Sequence, residues 1–229
     1  MRLNGVSSII MDDTDHQVED FFLPARLRMV EQQLQRRDIY DPAVLEAMRI
    51  VPRHEFVPAE DRDQAYGDHP LSIGYDQTIS QPYIVASMTQ ELRLNKTSRV
   101  LEIGTGCGYQ TAVLAEVCRH VYSVECIPEL LADASDRLER MGYSNITLQV
   151  GDGSRGWVEF APFDGILVAA AATDIPASLL EQLSDRGRMV IPVGTHLFNQ
   201  QLVLVEKKDG QLNRSELYGV RFVPLRTYP

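Results

Sequence analysis

A short hydrophobic run followed at once by three glycines at alternate positions constrains the fold of this chain most strongly. Val100–Ile103 has the length and composition of a buried strand, and Gly104, Gly106 and Gly108 come next. A helical pattern over Gln110–Val117 follows. A strand, a glycine turn and a helix in this order are typical of the sheet edge at which backbone N–H groups face a ligand. The segment therefore predicts a ligand site at the carboxyl end of this strand.

Short apolar runs and helical patterns alternate along the chain after residue 99. Such alternation predicts an α/β fold with a doubly wound, mostly parallel Rossmann-like sheet and helices on both faces. Only the last two runs, Gln201–Glu206 and Glu216–Val223, lack a helix between them, so we expect a C-terminal antiparallel hairpin. The other predicted strands are Val121–Val124, Ile146–Val150, Gly165–Ala169 and Arg188–Val193, and the other predicted helices run from Pro128 to about Met141 and from Pro176 to Leu183.

The first hundred residues have a different pattern. Helical spacing from about Val18 to Arg36, and the N-cap and proline pair Asp41-Pro42, predict two helices. Val51–Pro82 is rich in Pro, Gly, Asp and Tyr and has little periodicity, as long functional segments often do. We divide the chain into an extension over residues 1–23, which we expect to be flexible, and one domain over residues 24–229. That domain comprises a helical cap (about 24–97) and a sheet core (about 98–229).

Composition excludes several classes of partner. A formal net charge of −10 argues against nucleic acid, because surfaces that bind it cluster Lys and Arg. No apolar run approaches the roughly 20 residues needed to cross a bilayer, and the N-terminus does not resemble an export signal. The three cysteines, Cys107, Cys118 and Cys126, lack the spacing of a disulfide framework or a zinc site. We expect a cytoplasmic protein without a membrane partner or a metal, for which a monomer is a reasonable oligomeric state.

The glycine spacing also discriminates between ligands. In the dinucleotide fingerprint the third glycine falls one position later than Gly108, where this chain has Tyr109. This difference argues against NAD. No Gly-Lys-Ser/Thr sequence follows, which excludes a Walker A phosphate loop.

Acidic residues near the ends of three predicted strands favour a nucleoside ligand without phosphate. Glu125 lies 21 residues after Gly104, where a carboxylate can accept hydrogen bonds from both hydroxyls of a ribose. Asp152, between two glycines, is placed to accept a hydrogen bond from an adenine amino group. Glu102 has two open interpretations, because it can face the amino group of a bound zwitterion or anchor a backbone turn.

Together these residues resemble the cofactor half of a class I S-adenosylmethionine methyltransferase. The resemblance is carried by Glu102-x-Gly-x-Gly-x-Gly108, by Glu125 and by Gly151-Asp152-Gly153. It implies S-adenosyl-L-methionine as the cofactor and S-adenosyl-L-homocysteine as its product. The cofactor-binding residues that it implies are Glu102, Gly104, Thr105, Gly106, Gly108, Tyr109, Glu125, Asp152 and Gly153.

The other segments resemble one family, the bacterial protein-L-isoaspartate (D-aspartate) O-methyltransferases. The resemblance spans almost everything after residue 24, and its most specific parts are Gln77–Tyr83 and Arg221–Leu225. It implies a repair enzyme that methylates the α-carboxylate of L-isoaspartyl residues in damaged proteins and peptides. The other matching segments are Val51–Val57, Val100–Ala115, Gly156-Trp157, Ala161–Asp164 and Arg188–Gly194.

The same resemblance assigns the acceptor site. It gives the catalytic role to Ser80, whose alternative role is an N-cap for a helix starting at Pro82. A carboxylate with a pKa of about 4 is already ionised at neutral pH, so methyl transfer needs alignment more than a strong general base. The substrate-binding residues that the resemblance implies are Thr78, Ile79, Gln81, Val193, Val223 and Pro224.

The chain departs from the common family pattern at three places, Cys107, Cys126 and Ala169–Ala172. The alanine run predicts a wider acceptor pocket. Two alternatives therefore stay open: a methyltransferase for a different carboxylate or small molecule, and a non-catalytic module that binds the cofactor and regulates a partner. Asn4-Gly5 is prone to deamidation, which raises the further hypothesis of self-methylation.

Overall fold

The computed structural model describes residues 20–195 and 199–226. Most of the predicted extension, and with it Asn4-Gly5, lies outside these ranges. The described chain contains a seven-stranded sheet of order β5-β4-β3-β6-β7-β8-β9 and a separate two-stranded hairpin. The strands are β1 (Leu71–Gly74), β2 (Gln77–Ile79), β3 (Arg99–Ile103), β4 (His120–Glu125), β5 (Ile146–Val150), β6 (Phe163–Val168), β7 (Leu183–Val193), β8 (Gln200–Lys208) and β9 (Gln211–Val220).

The pairing of the strands confirms the predicted fold class. Strands β3 to β7 are parallel to one another, whereas β8 pairs antiparallel with both β7 and β9. The helices are α1 (Leu23–Met29), α2 (Pro42–Ile50), α3 (Pro82–Glu91), α4 (Tyr109–Val117), α5 (Pro128–Arg140) and α6 (Ala177–Gln182).

The chain order places a topological switch beside β3. The chain runs outward from β3 through β4 to β5, and then returns to place β6 on the other side of β3. The connections after β3 and β6 therefore diverge, which leaves a crevice at the carboxyl ends of these strands. Val100, Leu101 and Ile103 are at most 2% exposed, as expected for a strand covered on both faces.

The cap helices extend the core instead of forming one of their own. Met48 on α2 and Val85 on α3 belong to the same buried cluster as Tyr109 and Val113 on α4. Asp41 caps α2 as predicted, since its carboxylate accepts hydrogen bonds from the backbone N–H groups of Ala43 (2.8 Å) and Val44 (3.3 Å). The cap is thereby held against the glycine turn at the start of α4.

Two predictions about local structure were wrong. The segment 51–82 is not irregular throughout, because it contains 3-10 helices at Arg53–Phe56 and Ala59–Gln64 and the hairpin β1–β2. The hairpin gives little sequence signal, since its turn uses Tyr75 and Asp76 with φ of 54° and 57° in place of glycine. Strand β9 begins five residues before the predicted Glu216, because an edge strand with an exposed face shows no alternation of apolar residues.

Candidate active site

The glycine turn after β3 has the conformation that its sequence predicts. Gly104 and Gly106 have φ of +93° and +54°, a region that L side chains rarely adopt. A Cβ on Gly104 would lie 3.5 Å from the Cβ of Ala169, and one on Gly106 would lie 3.4 Å from Ile73. The turn therefore leaves a narrow space between itself, the end of β6 and the hairpin.

A cavity opens at this turn, and we call it the cofactor cavity. It is bordered by the glycine turn, the end of β4, the residues after β6, the hairpin and the C-terminal segment after β9. Six of the predicted cofactor residues line it: Gly104, Thr105, Gly106, Tyr109, Glu125 and Gly153. Three do not line it: Glu102, Gly108 and Asp152.

Glu125 is held rigidly at the end of β4. Its Oε2 accepts a hydrogen bond from the backbone N–H of Gly106 (2.9 Å), and its Oε1 accepts from those of Cys126 (2.8 Å) and Ile127 (3.0 Å). The residue is only 5% exposed. A carboxylate has about four acceptor positions and an oxygen can share one, so Glu125 retains acceptor capacity for ligand hydroxyls.

Glu102 lies behind the glycine turn and does not line the cofactor cavity. Its Oε2 accepts hydrogen bonds from the hydroxyls of Thr111 and Ser123, both at 2.6 Å, and Ser123 Oγ lies 2.7 Å from Thr105 Oγ1. Complete burial raises the pKa of the Glu102 carboxyl to about 8, although the two hydroxyl hydrogen bonds oppose the shift. Of the two interpretations of Glu102, the geometry favours anchoring of the glycine turn.

Asp152 also uses its carboxylate locally. It is the N-cap of the 3-10 helix Gly153–Arg155, and its Oδ1 accepts from the backbone N–H (2.9 Å) and the hydroxyl (2.7 Å) of Ser154. The neighbouring Gly153 lines the cavity in its place, and a Cβ there would lie 2.2 Å from Ile103 Cγ2. A contact between Asp152 and adenine stays a prediction.

A second cavity, which we call the acceptor groove, adjoins the first. It has a volume of about 650 Å³ and lies between the hairpin, the start of α3 and the strand ends of β8 and β9. Four residues line both cavities: Thr78, Ser80, Ala169 and Val223. These four residues form a common wall, where a group bound in one cavity meets a group bound in the other.

Most predicted acceptor residues lie around this common wall. Ile79 and Pro224 line the cofactor cavity, and Gln81 lines the acceptor groove. Val193 is the exception, because it pairs with Ala172 and borders a separate surface pocket with Ile175 and Val203. Val193 therefore does not line the acceptor groove, and its predicted role in substrate binding stays a prediction.

The alternative role of Ser80, as the N-cap of α3, is wrong. The N-cap of α3 is Gln81, which makes no side-chain capping hydrogen bond, and Ser80 lies one residue earlier. In register with β1, Ile79 pairs with Leu71 and both are buried, so Ser80 points to the other side of the hairpin. Its hydroxyl is thus available in the common wall.

Sequence reasoning missed several residues of the site. Ile73, Val85 and Met88 line the cofactor cavity from the hairpin and α3, and Arg226 lines it from the C-terminal segment. Arg221 lines the acceptor groove. The apolar residues carry no signal that separates a cavity wall from core, but Arg221 belongs to the specific C-terminal segment and Arg226 directly follows it.

The chemistry of the cofactor cavity fits a nucleoside joined to a small zwitterion. Glu125 is a fixed acceptor, the glycine turn admits close approach, and Ile103 and Val124 supply apolar contact. Among the described residues that line the cavity, Arg226 is the only cation and no lysine is present. Such a lining suits S-adenosylmethionine better than a dinucleotide with its pyrophosphate.

Comparison with known proteins decides the family. The model of the family described as "Protein-L-isoaspartate(D-aspartate) O-methyltransferase (PCMT)" matches residues 25–228. The chain belongs to this family. The resemblance found in the sequence is therefore confirmed.

Relatives within the isoaspartate methyltransferase family match over most of their length. A protein-L-isoaspartate O-methyltransferase of Picosynechococcus sp. is 54% identical over 201 residues, covering 88% of this chain and 90% of the relative. One of Opitutus terrae is 57% identical over 199 residues, covering 87% and 85%.

Solved structures agree with the fold. A protein-L-isoaspartate O-methyltransferase has a TM-score of 0.78 at 31% identity, over 87% of this chain and 65% of that longer chain. A beta-aspartate methyltransferase from Plasmodium falciparum, in complex with S-adenosyl-L-homocysteine, has a TM-score of 0.75 at 25% identity, over 88% of this chain and 98% of that one.

The described ranges contain neither a metal-ligand cluster nor a helix that could cross a membrane. Within residues 20–195 and 199–226, no group of three or more His, Cys, Asp or Glu side chains is arranged to hold a metal ion. In the same part of the chain, every helix is too short or too polar to cross a bilayer. The predicted metal-free site and monomeric state stay predictions.

Proposed function

We propose that this chain transfers a methyl group from S-adenosyl-L-methionine to the α-carboxylate of L-isoaspartyl residues in damaged proteins. The observation that carries the proposal is the common wall of Thr78, Ser80, Ala169 and Val223. It joins a cavity suited to this cofactor to a groove with room for a peptide. Family membership supports the reaction, and the two joined cavities support its location at the common wall.

The cofactor half of the site provides binding and orientation. S-adenosylmethionine supplies, when bound, a methyl group made electrophilic by its attachment to a sulfonium. Glu125 would accept hydrogen bonds from the ribose hydroxyls, and the glycine turn would approach the ligand through its backbone. Gly153, which has no side chain, would leave room for the adenine ring of the cofactor. Glu102, through Ser123, holds Thr105 and hence the turn in place.

The acceptor half of the site has to align the isoaspartyl carboxylate with the methyl group and exclude water. The isoaspartyl carboxylate is already an anion at neutral pH, so no base has to remove a proton from it. Accordingly, no His or Lys side chain lines either cavity among the described residues. Ser80 would donate a hydrogen bond to one carboxylate oxygen and direct the other toward the cofactor, while Val223 and Ala169 exclude water.

The substrates are expected to be diverse. The groove is bordered largely by neutral side chains and backbone, including Gly219 and Val220, and offers no deep pocket of fixed chemistry for a particular neighbouring side chain. We therefore infer that many aged proteins serve as partners, with recognition of the backbone and the carboxylate. A cytoplasmic location stays a prediction.

The decisive experiment compares two peptides of one sequence. Methyl transfer from labelled cofactor is measured to an isoaspartyl peptide and to its ordinary aspartyl counterpart. We expect label in the first alone. Equal labelling, or none in either, would contradict the proposed function.

The role of Ser80 is tested by Ser80→Ala. Loss of one hydrogen bond to a charged group costs about 1.5–3 kcal/mol, so kcat/KM for the isoaspartyl peptide should fall roughly 10-fold to 100-fold. Affinity for S-adenosylhomocysteine, measured by calorimetry, should not change. The control is Ser72→Ala, which removes an exposed hydroxyl from the same hairpin. Unchanged kcat/KM in Ser80→Ala would remove the assigned role.

A further inference from the structure

The acceptor groove carries one charge. Of the described residues that border it, Arg221 alone is ionised at neutral pH. Its guanidinium forms no hydrogen bond or ion pair with any described side chain, although the chain as a whole carries a formal net charge of −10. A cation without a partner among the described residues, in an otherwise neutral groove of an acidic protein, is available to an anionic ligand.

The position of Arg221 is fixed by its neighbour. Phe222 is 8% exposed, and its backbone is held on both sides by the buried side chain of Gln200. Gln200 accepts a hydrogen bond from the N–H of Phe222 (2.6 Å) and donates one to its carbonyl (3.1 Å). Phe222 belongs to a buried cluster and also borders the groove, and Arg221 and Val223 border it on either side.

The short separation between Arg221 and Val223 places Arg221 near the carboxylate that is methylated. Val223 belongs to the common wall, and Arg221 lies two residues from it. Two residues span at most about 7 Å of backbone. Arg221 therefore lies within the reach of a side chain one or two positions from the residue whose carboxylate meets Ser80.

We propose that Arg221 determines specificity by favouring isoaspartyl sites that have an acidic side chain one or two positions away. The proposal rests on the proposed function. Arg221 attracts the flanking carboxylate, and the acceptor carboxylate remains with Ser80. A flanking Lys or Arg is disfavoured for the same reason. The preference is modest, because an exposed ion pair alters binding only about threefold to fivefold.

The test uses isoaspartyl peptides that differ only in Glu or Gln at one flanking position, on each side in turn. The measured quantity is the ratio of kcat/KM for the Glu peptide to that for the Gln peptide at low ionic strength. We expect a ratio of about three on one side at least. It should fall to about one in Arg221→Gln, drop below one in Arg221→Glu, and largely persist in Arg221→Lys. At 1 M salt the ratio in the unchanged protein should approach one, since the Debye length is then about 3 Å.

Arg214→Glu provides the matched control. Arg214 lies on β9 outside both cavities, so this variant makes the same charge change at a distance and should keep the ratio of the unchanged protein. Titration with S-adenosylhomocysteine verifies the fold of each variant. A ratio of one in the unchanged protein, or a ratio that Arg221→Glu does not alter, would overturn the proposal. Failure of the proposed function is distinguishable, because it would abolish the preference for isoaspartyl over aspartyl peptide in the unchanged protein.

Discussion

Replacing Glu102 by Gln should make the protein more stable at neutral pH. Glu102 is completely buried, and its pKa is raised from 4.5 to about 8 by desolvation. Below pH 4.5 the carboxyl is protonated in both the folded and the unfolded state. Between pH 4.5 and 8 the unfolded chain loses this proton while the folded chain keeps it, so the free energy of unfolding falls by about 1.4 kcal/mol per pH unit.

The magnitude follows from the same two pKa values. At pH 7 the interval above 4.5 is 2.5 pH units, which corresponds to a cost on the order of 3 kcal/mol. Glutamine carries no charge in either state and so avoids this cost. Its amide oxygen can still accept the hydrogen bonds from Thr111 and Ser123. Its amide nitrogen takes the place of Oε1, which has no hydrogen-bond partner. The buried N–H groups then also lack a partner, which lowers the free energy of unfolding by an amount independent of pH.

Urea unfolding at pH 5, 6, 7 and 8 measures the difference between Glu102→Gln and the unchanged protein. We expect the variant to gain about 1.4 kcal/mol per pH unit relative to the unchanged protein up to about pH 8, and the slope is the diagnostic quantity. Glu139→Gln, which neutralises an exposed glutamate on α5, should give no such slope. Parallel pH profiles for Glu102→Gln would refute the reasoning. A tenfold loss of S-adenosylhomocysteine affinity in Glu102→Gln would instead indicate that the ionised Glu102 carboxylate contacts the amino group of the cofactor.

Two further changes test the cofactor cavity. Gly153→Ala places a Cβ 2.2 Å from Ile103 Cγ2, so we expect about 1–3 kcal/mol of destabilisation and weaker S-adenosylhomocysteine binding by calorimetry. In the control Gly151→Ala, the new Cβ meets its nearest neighbour at an ordinary 3.6 Å, so both effects should be small. Equal effects of the two substitutions would argue against a steric clash at Gly153. Cys126 lines the cavity and is half-buried. Because burial raises the pKa of its thiol, alkylation by iodoacetamide should accelerate as the pH rises above neutral. Because the thiol borders the cofactor cavity, alkylation should slow when S-adenosylhomocysteine is bound. Labelling that the ligand does not slow would place this thiol outside the binding site.

The closing hairpin illustrates a limit of sequence reasoning. The glycine at position 210 correctly marks its turn, but β9 carries polar residues over Asn213–Glu216 that give no strand signal. Backbone pairing with β8, and not side-chain pattern, makes this segment a strand. The hairpin β1–β2 was missed for a related reason, since its two strands are short and the turn residues Tyr75 and Asp76 have positive φ without being glycine.

The sequence by itself determined the sheet, the glycine turn and the family. Buried apolar runs, turn glycines and caps such as Asp41 act over a few residues, so their spacing is legible along the chain. Only the tertiary structure decided which side chains meet. It turned Glu102 toward Thr111 and Ser123, and it separated Val193 from the acceptor groove while bringing Arg221 into it. These outcomes depend on strand register and on contacts between separate elements, from 9 residues apart for Thr111 and Glu102 to more than a hundred for Arg221 and Ser80, which no local pattern encodes.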